Sequence, residues 1–542
     1  MTELGLVDAI DAVTKGAPAR DMIVWRDVRR SYADVADRSK RLASHLLARG
    51  LGVQRERAGL ERWECGQSPV ALVMGNRPEY LESMYACYRA RAVPFNVNHH
   101  YRPAEVRALF EMVGLEGVVY ERRFGELVAE AADGPDVVLV DIDDGSGAPR
   151  LDGAVDYEEA IGAAAPEPDA TPSPDDLCMV CTGGTTGRPK AVLWRQADIG
   201  CSAMALTDGV TAEQLTEVAE ADFGERWFAA PPLMHAAAQW TAFCGFHLGA
   251  TIVLHDDSAR FDAGAILGVI EKERATMMSI VGDAYATPMV EELRRGHHDV
   301  SSLVRLGVGG AITGEANKAA LLELIPGLTI IDGYGASETG GMAYGPSTAG
   351  APSKGFEPGP GAVVLSEDRT RVLEPGDDEV GWTARRGRVP LGYLGDPEAT
   401  EVTFPVIDGE RFAVPGDRAT VLDDGSIALL GRDSMVVNTG GEKVFVEEVE
   451  EALRDHPDVV DALVVGRPSE RFGQEVVGLV QTHAGATVDP VELRDHCADT
   501  VARFKAPRAI AFVETIGRHP SGKPDYGWAR EAATEAVDAT SA

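Results

Sequence analysis

Apolar and polar positions follow two rhythms along the first 170 residues. From Tyr32 to Leu47, Val35, Leu42, Leu46 and Leu47 recur at helical spacing and predict an amphipathic helix. Pro69-Val-Ala-Leu-Val-Met74 is an unbroken apolar run closed by Gly75-Asn76, the pattern of a strand buried on both faces. Tyr80 to Ala90 predicts a second helix, and Val93 to Asn98 a second short strand. Strands alternating with helices predict a mostly parallel sheet covered on both sides. Gln54 to Ser68 is polar and charged, which places it on the surface as an insertion.

Ala163 to Asp175, rich in Pro, Ala and Asp, reads as a loop. It leads into a strand, Asp176 to Cys181, and then a loop of glycines and threonines. Two further strands end in glycine-rich loops: Leu303 to Val308 before Gly309-Gly310-Ala311, and Leu328 to Ile331 before Asp332-Gly-Tyr-Gly-Ala-Ser-Glu338. Three such loops predict a ligand site where they converge at the carboxyl ends of a sheet.

The rhythm changes after Pro415. Asp424-Gly425 between Ala419-Thr-Val-Leu422 and Ser426-Ile-Ala-Leu-Leu430 predicts a hairpin. Then come Gly431-Arg432, Gly440-Gly441, a helix from Val446 to Arg454, two strands and another helix. The expected fold class is α/β: a large multi-subdomain N-terminal domain with parallel-rich sheets (residues 1–431), followed by a small α+β C-terminal domain (residues 432–542) of ordinary size. No internal repeat is visible, and Thr534 to Ala542 is expected to fray.

Charge narrows the function classes. With 51 Lys and Arg against 86 Asp and Glu among 542 residues, the formal net charge is −35. Such a chain is a poor general binder of nucleic acid or anionic lipid. The N-terminus has no basic segment followed by an apolar one. Ala242 to Leu254 is too short for a spanning helix, which needs about 20 residues. A cytoplasmic protein without stable membrane insertion is therefore expected. Seven cysteines, an odd number thinly spread, predict free thiols. Cys178-x-x-Cys181 lacks a second pair for zinc and reads as core packing. The doublets His99-His100 and His297-His298 lack metal-ligand spacing and are expected at the surface.

The strongest local signal is Thr182-Gly-Gly-Thr-Thr-Gly-Arg-Pro-Lys190. Gly183, Gly184 and Gly187 let the backbone turn its N–H groups inward. Thr182, Thr185 and Thr186 add hydroxyls, and Lys190 adds a cation. The set suits a polyphosphate. It is not the NTPase P-loop, which needs Gly-Lys-Ser/Thr in succession; here Pro189 precedes the lysine and Ala191 follows it.

This loop, with segments matching in order from Ser31-Tyr32 to Lys523, resembles the adenylate-forming superfamily of acyl- and aryl-CoA synthetases, adenylation domains and luciferases. Pro232-Leu-Met-His-Ala236, Asn438-Thr-Gly-Gly-Glu-Lys-Val444 and Ser521-Gly-Lys-Pro-Asp-Tyr526 are most similar to actinobacterial fatty-acyl-CoA and sterol-side-chain-CoA ligases. The resemblance implies a nucleotide site that includes Asp332, Gly333, Gly335 and Ser337, with Tyr334 packed on adenine, Glu338 holding Mg²⁺ and Thr339 at the α-phosphate. Gly309, Gly310 and Ala311 would lie beside adenine and the acyl carboxylate. Asp417 and Arg432 would take the ribose, and Lys523 would be the catalytic lysine. His235 would border the acyl and pantetheine channels, with Ala236, Gln239, Trp240, Gly282 and Tyr285 lining the acyl pocket. The small domain would swing about a hinge at Ser434, where relatives often carry Asp or Lys. Gly440-Gly441 would then line a pantetheine tunnel.

The implied reaction uses ATP, Mg²⁺ and coenzyme A. A carboxylic acid becomes acyl-AMP with loss of pyrophosphate, and the acyl group then becomes a CoA thioester with loss of AMP. An amine or a carrier-protein thiol as final acceptor is the alternative, and a catalytically silent nucleotide-binding protein is a third reading. The family also implies a homodimer as a common assembly.

Overall fold

The computed structural model describes residues 3–132, 136–183, 189–256, 261–311, 313–351, 353, 355–432, 435–439, 442–469, 473–501, 503–519 and 522–538. The predicted alternation is present. Pro69–Val73 is the second strand of a parallel five-stranded sheet, in the order Val93–Asn96, Pro69–Val73, Gly117–Glu121, Val138–Ile142, Val155–Asp156. The helix Tyr32–Ala48 starts at Ser31, whose hydroxyl accepts from Asp34 N at 3.1 Å while the Asp34 carboxylate takes Ser31 N at 2.9 Å. That reciprocal cap contributes about 1 kcal/mol. The next helix, Pro78–Arg89, opens on proline, whose missing N–H has no partner to lose there.

A second sheet has nine strands among the described residues. At its centre Arg226–Ala229, Met277–Ile280, Arg305–Gly309 and Thr329–Ala336 run parallel. Two of the three glycine loops therefore follow neighbouring strands, with Val308 opposite Asp332 and Gly309 opposite Gly333. The third does not belong to this sheet. Leu177–Gly183 turns back on Pro189–Arg195 as an antiparallel hairpin, joined among the described residues only by Gly392–Tyr393. The loops thus do not share one sheet edge as expected, because a hairpin partner takes the hydrogen bonds a parallel neighbour would have taken. A second difference concerns Asp332 to Ala336. It is extended strand, paired with Gly340–Ser347, rather than loop.

The tail builds its own sheet from Val436–Thr439, Glu442–Phe445, Val459–Ser469, Gly473–Thr482, Ala509–Phe512 and Val537–Asp538. The helix Val446–Arg454 has the predicted bounds and buries Val446, Val449, Ala452 and Leu453 against this sheet. The expected fraying at the end is corrected in part: Val537 pairs with Ile510 and Asp538 with Ala509, so the sheet holds the chain through its last described residue. All seven cysteines are free thiols, and Cys178 and Cys181 are core residues. Among the described residues, no helix is long and apolar enough to cross a membrane.

Candidate active site

Gly184, Thr185, Thr186, Gly187, Ser434, Gly440 and Gly441 lie outside the described residues. The hairpin that brackets the glycine-threonine loop is described, and it sets Thr182 directly opposite Lys190. Asn96 fixes its ascending strand. The Asn96 carbonyl accepts from Cys181 N at 2.9 Å, and its amide donates to Cys181 O at 2.9 Å and Met234 O at 2.8 Å. Lys190 Nζ lies 4.4 Å from the Tyr393 ring centroid, a cation–π contact. The Tyr393 hydroxyl in turn donates to Glu338 Oε1 at 2.8 Å. One aromatic residue thereby couples the lysine that follows the glycine-threonine loop to the carboxylate of the Asp332–Glu338 motif.

That motif turns the chain between Thr329–Ala336 and Gly340–Ser347. Thr339 is fully buried, and its hydroxyl accepts from Ala336 N at 2.9 Å. Trp194 Nε1 donates to Ser337 O at 2.9 Å. Arg385, itself buried, donates to Thr339 O at 3.1 Å and Gly341 O at 2.6 Å. Main chain presses on main chain here: a methyl group on Gly335 would collide with the Gly340 carbonyl. One on Gly340, whose φ is +67°, would strike the Ser202 carbonyl.

Tyr334 and Asp417 meet across this turn. The Tyr334 hydroxyl donates to Asp417 Oδ2 at 2.6 Å and lies 2.9 Å from Thr383 Oγ1, leaving the ring edge-on to Phe356. Asp417 faces Arg432 in the antiparallel ladder, which places the Arg432 backbone beside it. Asp332 is held by Lys318, with Nζ 2.9 Å from Oδ2. Burial nevertheless raises the Asp332 carboxyl above the usual carboxylate range, with Lys318 opposing that rise.

His235 immediately precedes the helix Ala236–His247, and its side chain makes no capping bond to it. The segment before it is anchored by Asn76, which accepts from Leu233 N at 2.6 Å and donates to Pro231 O at 3.2 Å. Gln239 turns its amide inward to Leu233 O at 2.8 Å and Tyr80 at 3.2 Å, so it braces this wall from behind. Trp240 is half-buried on the same helix. Gly282, with φ +55°, starts the helix Gly282–Arg294, and Tyr285 packs edge-on against Phe261 with ring centroids 4.8 Å apart. His99 corrects the surface expectation. Its ring stacks 4.6 Å from Phe124, and its Nδ1 is buried. Burial drives the His99 ring down to about 3. Burial, reinforced by the nearby positive charges of Lys523 and His100, drives His235 down to about 4. His235 is therefore a neutral imidazole at neutral pH.

Lys523 arrives from the tail. Its Cε would stand 4.0 Å from a methyl group on Gly310. The preceding Gly522 packs so closely that a methyl there would lie 3.3 Å from Ala284 Cβ and 3.5 Å from Val281 Cγ1. Three contacts join the expected residues: Lys190 to Glu338 through Tyr393, Tyr334 to Asp417, and Lys523 to the Gly310 backbone. Lysine cations beside carboxylates and glycine backbone suit an anionic nucleotide next to a second anion.

Residues 10–382 match the AMP-binding enzyme family, and residues 448–523 match its C-terminal domain. The chain belongs to the AMP-binding enzyme family. Among relatives, "Medium-chain acyl-CoA ligase Mig" of Mycobacterium avium is 44% identical over 96% of this chain and 97% of its own. "Medium/long-chain-fatty-acid–CoA/3-oxocholest-4-en-26-oate–CoA ligase" of Mycobacterium tuberculosis is 37% identical over 97% and 96%. The fold is shared with an anthranilate CoA ligase, AuaEII, solved in complex with anthranoyl-AMP. Its TM-score is 0.80 at 20% identity, over 98% of each chain. The sequence motifs of this AMP-binding enzyme did not reveal Asn96, Lys318, Arg385 or Tyr393. Each acts through a partner far away in sequence, and only a shared tertiary neighbour exposes it.

Proposed function

We propose that this AMP-binding enzyme is an ATP-dependent acyl-CoA ligase acting on a medium- to long-chain fatty acid or a bulky sterol side-chain acid. The observation that carries the reading is the approach of Lys523 to the Gly309-Gly310-Ala311 loop. The substrate class rests on the names of the relatives at 44% and 37% identity.

In this reading the substrate carboxylate oxygen attacks the α-phosphorus of ATP. The P–O bond to the β-phosphate breaks, and pyrophosphate leaves with its electron pair. Lys523 holds the two anions together and lowers their repulsion. Lys190 and the backbone of the glycine-threonine loop hold the phosphates, Tyr334 and Asp417 hold the nucleoside, and Thr339 keeps the turn that presents Glu338. Among the described residues, no three His, Cys, Asp or Glu side chains gather as a metal site. A single carboxylate, Glu338, suits a Mg²⁺ that the nucleotide itself carries on its phosphate oxygens, where it offsets negative charge. In the second step the CoA sulfur attacks the acyl carbon, the bond to AMP breaks, and the thiol proton passes to solvent. Residues 432–542 would swing about Arg432–Ser434 between the steps, withdrawing Lys523 and bringing Gly440-Gly441 to the channel. His235, neutral and half-buried, is a wall of that channel rather than a base.

The test is a pyrophosphate-release screen over fatty, steroidal and aromatic acids, with and without CoA, the products being identified by mass. A CoA thioester of a fatty or steroidal acid supports the reading. Release that needs an amine or a carrier protein, or release of ADP, overturns it.

A further inference from the structure

Lys523 stands on a small lobe of chain closed by its own backbone. His519 N donates to Lys523 O at 2.8 Å, Gly522 N to His519 O at 2.8 Å, and Asp525 N to Gly517 O at 3.0 Å. Arg518 and Pro524 form an antiparallel bridge across its neck. Beyond these backbone bonds, one side chain ties this segment to the tail sheet. Arg518 Nη1 donates to Gly522 O at 3.0 Å, on the residue just before the lysine. Arg518 Nε and Nη2 donate to Asp461 Oδ2 at 3.1 and 2.6 Å. Asp461 is part of the strand Val459–Ser469 and is itself fixed, its Oδ1 accepting from Ala462 N at 2.8 Å. The arginine and aspartate side chains are 18% and 12% exposed, so the pair is shielded from water and stronger than a surface ion pair.

We propose that Arg518 is a positioning residue for Lys523: its planar fork ties the lysine lobe to the tail sheet through Asp461 while gripping the Gly522 carbonyl. Arginine suits the task because one rigid group serves two acceptors at once, which an ammonium on a flexible stem cannot reproduce. The proposal rests on the role assigned to Lys523 above. It locates the accuracy of the lysine's approach in a contact far from the nucleotide motifs.

The experiment measures the two half-reactions separately on the full chain. Pyrophosphate release reports acyl-adenylate formation, and thioester formation from supplied acyl-adenylate and CoA reports the second step. Arg518→Met should slow the first step by about tenfold to a hundredfold, the scale of an ångström-sized misplacement, and leave the second within about twofold. Asp461→Asn should act in the same direction but less, and Arg518→Lys should fall between wild type and Arg518→Met. A parallel loss in both steps, or no loss in the first, overturns the proposal. Circular dichroism and melting identify a misfolded variant. Should Arg518→Met not fold, Arg518→Lys and Asp461→Asn decide by the same criterion. Lys523→Ala is the reference: if it spares adenylate formation, the role of the lysine fails, and if it alone shows the split, only the role of Arg518 fails.

Discussion

Tyr334 and Asp417 share a 2.6 Å hydrogen bond although 83 residues separate them. The bond fixes the phenol ring against one carboxylate oxygen. Tyr334→Phe keeps the ring and removes the tie. A net hydrogen bond of about 1 kcal/mol predicts a rise of about fivefold in the KM for ATP with kcat little changed. Initial rates at varied ATP measure this, and an unchanged KM contradicts the coupling.

The Lys190–Tyr393–Glu338 chain makes a second prediction. Tyr393→Phe leaves a face for the Lys190 cation but removes the donor to Glu338. The carboxylate then loses its orientation, and half-maximal rate should need about threefold to tenfold more Mg²⁺. Glu338→Gln should raise that requirement further. A Mg²⁺ titration at fixed ATP tests both, and identical curves for all three proteins would refute the assignment.

Removing the amine of Lys523 separates the half-reactions. Lys523→Ala should cut acyl-adenylate formation by about a hundredfold or more, as expected for a lost electrostatic clamp. Conversion of supplied acyl-adenylate to thioester should survive. Pyrophosphate and thioester assays on one preparation give the ratio directly.

Glu450 predicts a pH effect on stability. It is 2% exposed in the tail core, where its Oε1 accepts from Val464 N at 2.9 Å and from the Tyr526 hydroxyl at 3.1 Å. Burial pushes its carboxyl up from 4.5 to about 8, against the opposing pull of Arg454. Between those values the folded chain keeps a proton that the unfolded chain has released. This contribution is therefore complete at low pH and is lost as pH rises toward 8. Glu450→Gln removes the titration, so between pH 6 and pH 8 its Tm should fall by a few degrees less than that of wild type. Parallel melting curves at both pH values would show that Glu450 does not titrate there.

The chemistry of the site was legible where it is local. Glycines, hydroxyls and a lysine crowded into nine residues suit a polyphosphate by themselves, whereas the ribose role expected of Asp417 comes only from the family resemblance. The helix at Tyr32 followed from apolar spacing, while its Ser31 cap came to light only in the structure. What stayed hidden is made by pairing. Nothing in the run to Cys181 says that its strand will fold back on its successor rather than join the large sheet. Nothing near Gly392 says that two residues there will become a third strand and carry Tyr393 to Glu338. Asp332 to Ala336 looked like loop because glycines alternate through it, yet an antiparallel partner holds it extended.

The turn at Gly335 and Gly340 carries a consequence for how such a protein diversifies. A surface composed of peptide backbone offers substitution almost no handle, since even one added carbon is refused there. Variation must enter through side chains elsewhere, such as Tyr285 and Phe261, whose rings meet edge to face and leave the backbone untouched when exchanged. The turn itself is frozen by its lack of side chains.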